Sequence, residues 1–261
     1  MALSQHTIAG TVLTMPVRVR QADVHSAMFS VSADAAQAMI DYSGLRVFQH
    51  RPGQAVVNLM LARYLDGDLG RYLEFGTAVM VNPPRLYGGP SVGSPSSSLA
   101  EPPGSTASGW RALGDAGAFI HHLPVNQEFT LEAGRTIWGF PKIMADFIVR
   151  DGRRLGFEVS ADGEHIATME FGRGLPVPGL FTSKPRTLMA FSHLDGVTRQ
   201  IPWGMKVSGV RGAMGGAKLE LGNHPYAREL AALGLPKRPM MSSIVSHVDM
   251  TFGDAEVIGA G

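Results

Sequence analysis

Residues 54–81 read QAVVNLMLARYLDGDLGRYLEFGTAVMV, and their pattern decides the fold class. Two apolar runs, 54–65 and 71–81, have the period-two character of strands and are joined by Asp66-Gly67-Asp68, residues suited to a tight turn. Similar runs occur at 24–31, 118–124, 143–149, 155–161, 164–171, 187–194, 197–207 and 241–252. Between several of them stand Asp151-Gly152, Asp162-Gly163 and Asp195-Gly196, each a hairpin signal. Consecutive hairpins predict a mainly β (α+β) chain built on an antiparallel meander. Two short helices are expected to cover it. One follows Ser32 as N-cap with Ala36, Met39 and Ile40 on one face, and the other spans 224–233 after Asn223 and stops at Gly234. The 32 glycines and 17 prolines interrupt the chain too often for a helical bundle.

Composition narrows the function. The chain has 261 residues, 44% of them apolar, and a net charge of +1, so it folds as a globule. It carries no basic block for nucleic acid or an anionic membrane. A single domain over 1–261 is expected. The absence of cysteine removes disulfides, thiolate metal sites and thiol nucleophiles, and fits a cytoplasmic protein. No basic segment followed by a long apolar run opens the chain, and none of its apolar runs is long enough to span a membrane. Residues 87–110 form a Gly/Ser/Pro tract, expected to be a flexible insertion that acts as a lid, binds a partner or stays disordered.

Most motif matches fail on context. Gly89-Pro90-Ser91-Val92-Gly93 fits the nucleophile-elbow pattern but lies in that tract instead of between a strand and a helix. Residues 212–218 lack the glycine that a phosphate loop needs before Lys218. His121 and His122 are adjacent on an expected strand, so their side chains should face opposite ways and could not share a metal ion. Neither a metal nor a cofactor is indicated.

Lys142 stands apart. It is one of five lysines and is flanked by Ile137-Trp138-Gly139-Phe140-Pro141 and Ile143-Met144. Its bland reading is a side chain that carries its ammonium to water over an aromatic platform. Its functional reading is a desolvated amine, a nucleophile toward carbonyl carbon.

Gly134-Arg135 followed by Phe140-Pro141-Lys142 resembles the Gly-Arg and aromatic-Pro-Lys signature of the acetoacetate decarboxylase superfamily. Leu69-Gly70-Arg71-Tyr72-Leu73-Glu74-Phe75-Gly76 is similar to the family strand that carries a catalytic glutamate, and the segments around Lys218, Leu235-Pro236, Ser242-Ser243-Ile244 and Ala255-Glu256-Val257 resemble its C-terminal part. The resemblance runs from about residue 24 to 257, interrupted by 87–110. It implies an antiparallel β-barrel-like fold with a few covering helices, a homo-oligomer, and iminium chemistry on a small-molecule keto acid without a dissociable cofactor. Lys142 would form the Schiff base and Glu74 would act as acid and base. Arg135, Trp138, Phe140 and His121 are substrate-binding candidates. Arg135 could instead anchor the loop before Lys142, and Glu74 could instead sit exposed at a barrel rim.

The chain also departs from the pattern. Ile143 stands where the decarboxylase has a second lysine, Leu59 where an ungapped count places a second glutamate, and Asp23 near the substrate-facing arginine, with Arg18 and Arg20 the nearest substitutes. A carbon–carbon lyase of the decarboxylase type is the leading expectation. The alternatives are an aldolase-dehydratase using the same lysine, and a barrel that binds small molecules without catalysis.

Overall fold

The computed structural model describes residues 3–84, 113–152, 154–179 and 184–260; the tract at 87–110 lies outside them. In chain order the first strands are β1 (Gln5–Ile8), β2 (Thr11–Thr14), β3 (Val17–Ser32), β4 (Arg46–Val47), β5 (Gln49–Arg51), β6 (Gln54–Gly67), β7 (Tyr72–Asn82), β8 (Gly117–Val125) and β9 (Lys142–Met144). They are followed by β10 (Asp146–Arg150), β11 (Leu155–Ala161), β12 (Glu164–Phe171), β13 (Leu175–Pro176), β14 (Arg186–Leu194), β15 (Val197–Met214), β16 (Ala217–Leu221), β17 (Met241–Phe252) and β18 (Glu256–Ala260). The helices are α1 (Ala33–Ile40), α2 (Glu128–Trp138) and α3 (Pro225–Ala232).

The hairpin at 54–81 is present as β6 and β7, in register from Val57 opposite Val79 to Tyr64 opposite Tyr72. From it the largest sheet continues through β3, β17, β15, β14 and β8, and β8 pairs back onto β7. Seven strands therefore close into a barrel, which removes the exposed sheet edges of an open structure. The ring is antiparallel except where β8 runs beside β14, and β9 also runs parallel to β8. These two pairings correct a purely antiparallel meander. A four-stranded sheet, β10-β11-β12-β16, covers one side.

Alternation along β7 gives the barrel two cores. Phe75, Val79 and Val81 point outward and pack with Phe157 and Phe171 of the covering sheet and with Ile40 and Tyr226 of the helices. Tyr72 and Ala78 point inward, toward Leu123, Trp138 and Phe140. Each fully buried large apolar side chain stabilises the fold by about 1.5–3 kcal/mol. Ser32 caps α1 by accepting from the Ala35 amide, as expected, and His224 caps α3 through its ring nitrogen. Asp162-Gly163 and Asp195-Gly196 have both residues at positive φ, the geometry of a two-residue hairpin turn. Among the described residues no helix is long and apolar enough to cross a membrane.

Two expectations are corrected. The run at 143–149 divides into β9 and β10, which belong to different sheets. Helix α2 adds to the two helices that the sequence predicts, and its Thr130, Ala133, Gly134, Ile137 and Trp138 form a buried stripe at helical spacing. Gln127 caps it by accepting from the Thr130 amide, and Gly139 ends it at φ +62°.

Candidate active site

Helix α2 and the turn after it deliver Lys142. After Gly139 the chain reverses, with the Phe140 amide bonded to the Gly134 carbonyl at 3.0 Å, and enters β9 beside β8, where Lys142 pairs with Leu123. The lysine stem then lies against α2 at Gly134. A β-carbon on Gly134 would sit 2.6 Å from both Cδ and Cε of Lys142, so a missing side chain makes the room.

The ammonium ends beside Glu74. Lys142 is 2% and Glu74 4% exposed, and Nζ lies 2.9 Å from Glu74 Oε2. Nζ also donates to Thr130 Oγ1 at 2.9 Å and stands 5.1 Å above the centre of the Tyr72 ring. The other carboxylate oxygen, Oε1, accepts from the Tyr64 hydroxyl at 2.8 Å. Tyr64 stacks on Tyr72 at 4.1 Å. Burial first, and the nearby Glu74 charge second, push both phenols well above their usual range, so Tyr64 remains a donor. The exposed-rim reading of Glu74 is thereby corrected.

A cavity opens onto this pair, lined also by Met60, Trp138, Phe140, Trp203 and Phe252. The buried Trp203 Nε1 has no hydrogen-bond partner among the described residues. Farther along the inward faces of β7, β14 and β15, Met80, Leu188, Met205 and Val207 line a second chamber of about 450 Å³, with Lys184 and Arg186 also in its wall.

Of the six site residues expected from sequence, Lys142, Glu74, Trp138 and Phe140 line one cavity. Arg135 is not among its walls; its guanidinium donates to the Lys142 carbonyl at 3.2 Å, an anchor for the turn. His121 points the other way. Its Nε2 lies 2.7 Å from Glu229 Oε2, and His122 Nε2 lies 2.8 Å from the same oxygen. The opposite-face expectation for these histidines fails because β8 carries a bulge: Thr77 pairs with His122 and Ala78 with Ile120, leaving His121 as the extra residue.

The remaining departures also resolve. Leu59 belongs to the outer core, and the adjacent Met60 faces the cavity. Ile143 packs against the outer core. Arg20 is tied at the surface to Asp66 and Asp68, and Asp23 pairs with Arg63 at 2.7 Å. Sequence reading missed Tyr64, Tyr72, Thr130 and Trp203. The first two were legible as period-two neighbours of the Glu74 side of the hairpin, whereas Thr130 and Trp203 reach the site only through tertiary folding.

The family model for acetoacetate decarboxylase (ADC) matches residues 6–259. No sequence among curated proteins matches the chain. A solved acetoacetate decarboxylase is 18% identical with a TM-score of 0.63, covering 94% of this chain and 90% of its own. The acetoacetate decarboxylase of Legionella pneumophila is 20% identical with a TM-score of 0.62, over 94% and 88% of the two chains. The enduracididine biosynthesis enzyme MppR, in complex with the condensation product of pyruvate and imidazole 4-carboxaldehyde, is 14% identical with a TM-score of 0.59, over 94% and 90%.

Proposed function

The chain belongs to the acetoacetate decarboxylase family, and from that premise we propose that it is a Schiff-base lyase that decarboxylates a keto acid through Lys142, with Glu74 as acid and base. The observation that carries this reading is the 2.9 Å contact between the two buried groups at the wall of an apolar cavity.

Proton transfer across that contact converts the ion pair into an amine and a carboxylic acid, which removes both charges from an environment that solvates them poorly. The amine adds to the keto carbon. Glu74 then gives its proton to the carbinolamine hydroxyl, which leaves as water and yields a protonated imine. In a β-keto acid the bond to the carboxylate breaks, its electron pair moves to the imine nitrogen as CO2 departs, and an enamine remains. Uptake of one proton at carbon restores a protonated imine; water adds to it, the carbon–nitrogen bond breaks, and the ketone and the Lys142 amine are released with a proton returned to Glu74. Tyr64, held as a donor to Glu74 Oε1, keeps the other oxygen directed at Lys142. The unpartnered Trp203 N–H is a donor for the substrate.

A second reading keeps the imine but uses the enamine to attack an aldehyde, with loss of water afterwards. Its support is the structural similarity to MppR together with Ile143 in place of the family's second lysine. Borohydride reduction with acetoacetate, pyruvate and longer β-keto acids, followed by intact-mass measurement, tests both. A Lys142-dependent adduct is expected, and its mass shows whether CO2 has left. If the Lys142→Ala variant gives the same adduct, Lys142 is not the nucleophile; if no keto acid yields an adduct on the wild type, the binding-barrel alternative replaces the enzyme reading.

A further inference from the structure

The bulge in β8 builds a second cluster on the outer side of the barrel wall. Phe119 packs in the outer core while Ile120 and Leu123 line the cavity, so the two residues between Ile120 and Leu123 share the outward side. There His121 and His122 meet Glu229 of α3, and one ligand atom from each of the three lies within 4.8 Å of the others. Both imidazole Nε2 atoms converge on a single carboxylate oxygen.

We propose that His121, His122 and Glu229 form a binding site for one divalent first-row transition ion of the Zn2+ type. Two imidazoles and a carboxylate are a donor set such ions accept, at about 2.0–2.2 Å and in tetrahedral geometry, with solvent at the fourth position. Seating the ion requires the carboxylate to withdraw by about 0.5–1 Å. Glu229 can do so because its side chain is 45% exposed, whereas His121 is held at 7%. The Tyr42 hydroxyl, 2.9 Å from His121 Nδ1, supports the ring in either state. It donates to Nδ1 while Nε2–H bonds Glu229, and it accepts from Nδ1–H once Nε2 takes the metal. The ion would fasten α3 to β8 on the face opposite Lys142. It has no part in the imine chemistry, so the proposal stands or falls independently of the proposed function.

The test is titration of the untagged full chain with Zn2+ by calorimetry and with Co2+ by visible absorption. One saturable site per chain is expected, with the intense d–d bands of tetrahedral Co2+. His122→Asn and Glu229→Gln, both at solvent-accessible positions, should each weaken binding at least tenfold, and Tyr42→Phe should weaken it less. Thermal melts of the variants without metal establish that they are folded. Absence of saturable binding to the wild type overturns the proposal, as does binding that survives in folded His122→Asn and Glu229→Gln.

Discussion

Two carboxylate clusters occupy opposite sides of the same barrel wall, and their environments differ more than their chemistry. Glu74 and Lys142 meet inside the barrel, both nearly inaccessible, with the ammonium 2.9 Å from two oxygens and 5.1 Å from the centre of the Tyr72 ring. Glu229 meets two histidines at the outer edge, where water reaches its side chain. An ion pair in the interior has paid a large desolvation cost, and losing one member leaves the other charge stranded. A half-exposed cluster loses little when a member is changed. The bulge at His121 serves both: it shifts the alternation of β8, so that Leu123 and Val125 face inward beside Lys142 and Glu74, and the histidine pair faces outward.

The sharpest break of this comparison is Lys142→Ala. It should abolish the borohydride-trapped adduct, as read by intact mass, whereas Glu229→Gln should leave adduct formation in place. Next in size, Glu74→Ala should lower unfolding free energy by about 3–5 kcal/mol in urea titrations, because a buried ammonium is left alone. The double change Glu74→Leu with Lys142→Met should recover most of that loss.

His25 supplies a third environment, a buried ring whose Nδ1 has no hydrogen-bond partner among the described residues. Burial pushes its pKa down to about 4, against the opposing effect of Asp23. The unfolded chain therefore binds a proton near pH 6.5 that the folded chain refuses until about pH 4. Stability should fall as pH drops through this window, by about 3 kcal/mol in all. His25→Asn should flatten that part of the profile of urea midpoint against pH.

Gly134→Ala should reduce adduct formation at least tenfold and cost about 1–3 kcal/mol, since its methyl group must displace a lysine stem already fixed at its far end. Trapping rate and melting temperature measure the two effects. The smallest change is Glu229→Gln, which should shift stability by less than about 1 kcal/mol in the absence of metal. An equal loss from Glu74→Ala and Glu229→Gln would erase the distinction between the two sides of the wall.

The barrel strands were legible because alternating apolar residues and Asp-Gly turns are local signals with one cheap solution. Strands 155–161, 164–171 and 241–252 fall where the sequence placed them. Lys142 and Glu74 were legible as residue types whose neighbours are apolar, and the Gly-Arg and Phe-Pro-Lys spacing supplied the resemblance to a family. Helix α2 escaped because its stripe of Thr130, Ala133, Gly134 and Ile137 contains small residues that carry little hydrophobic signal.

What the sequence by itself determined is the alternation, the turns and the apolar surroundings of Lys142, all properties of neighbours along the chain. Only the tertiary structure decided that Thr130 and Glu74 converge on Lys142 with Tyr64 behind the carboxylate, that Arg135 holds a backbone carbonyl, and that His121 and His122 share a side. The physical reason is register. A single extra residue in β8 reverses the facing of every residue beyond it, and its place is set by pairing with β7, some forty residues away, where no local pattern records it.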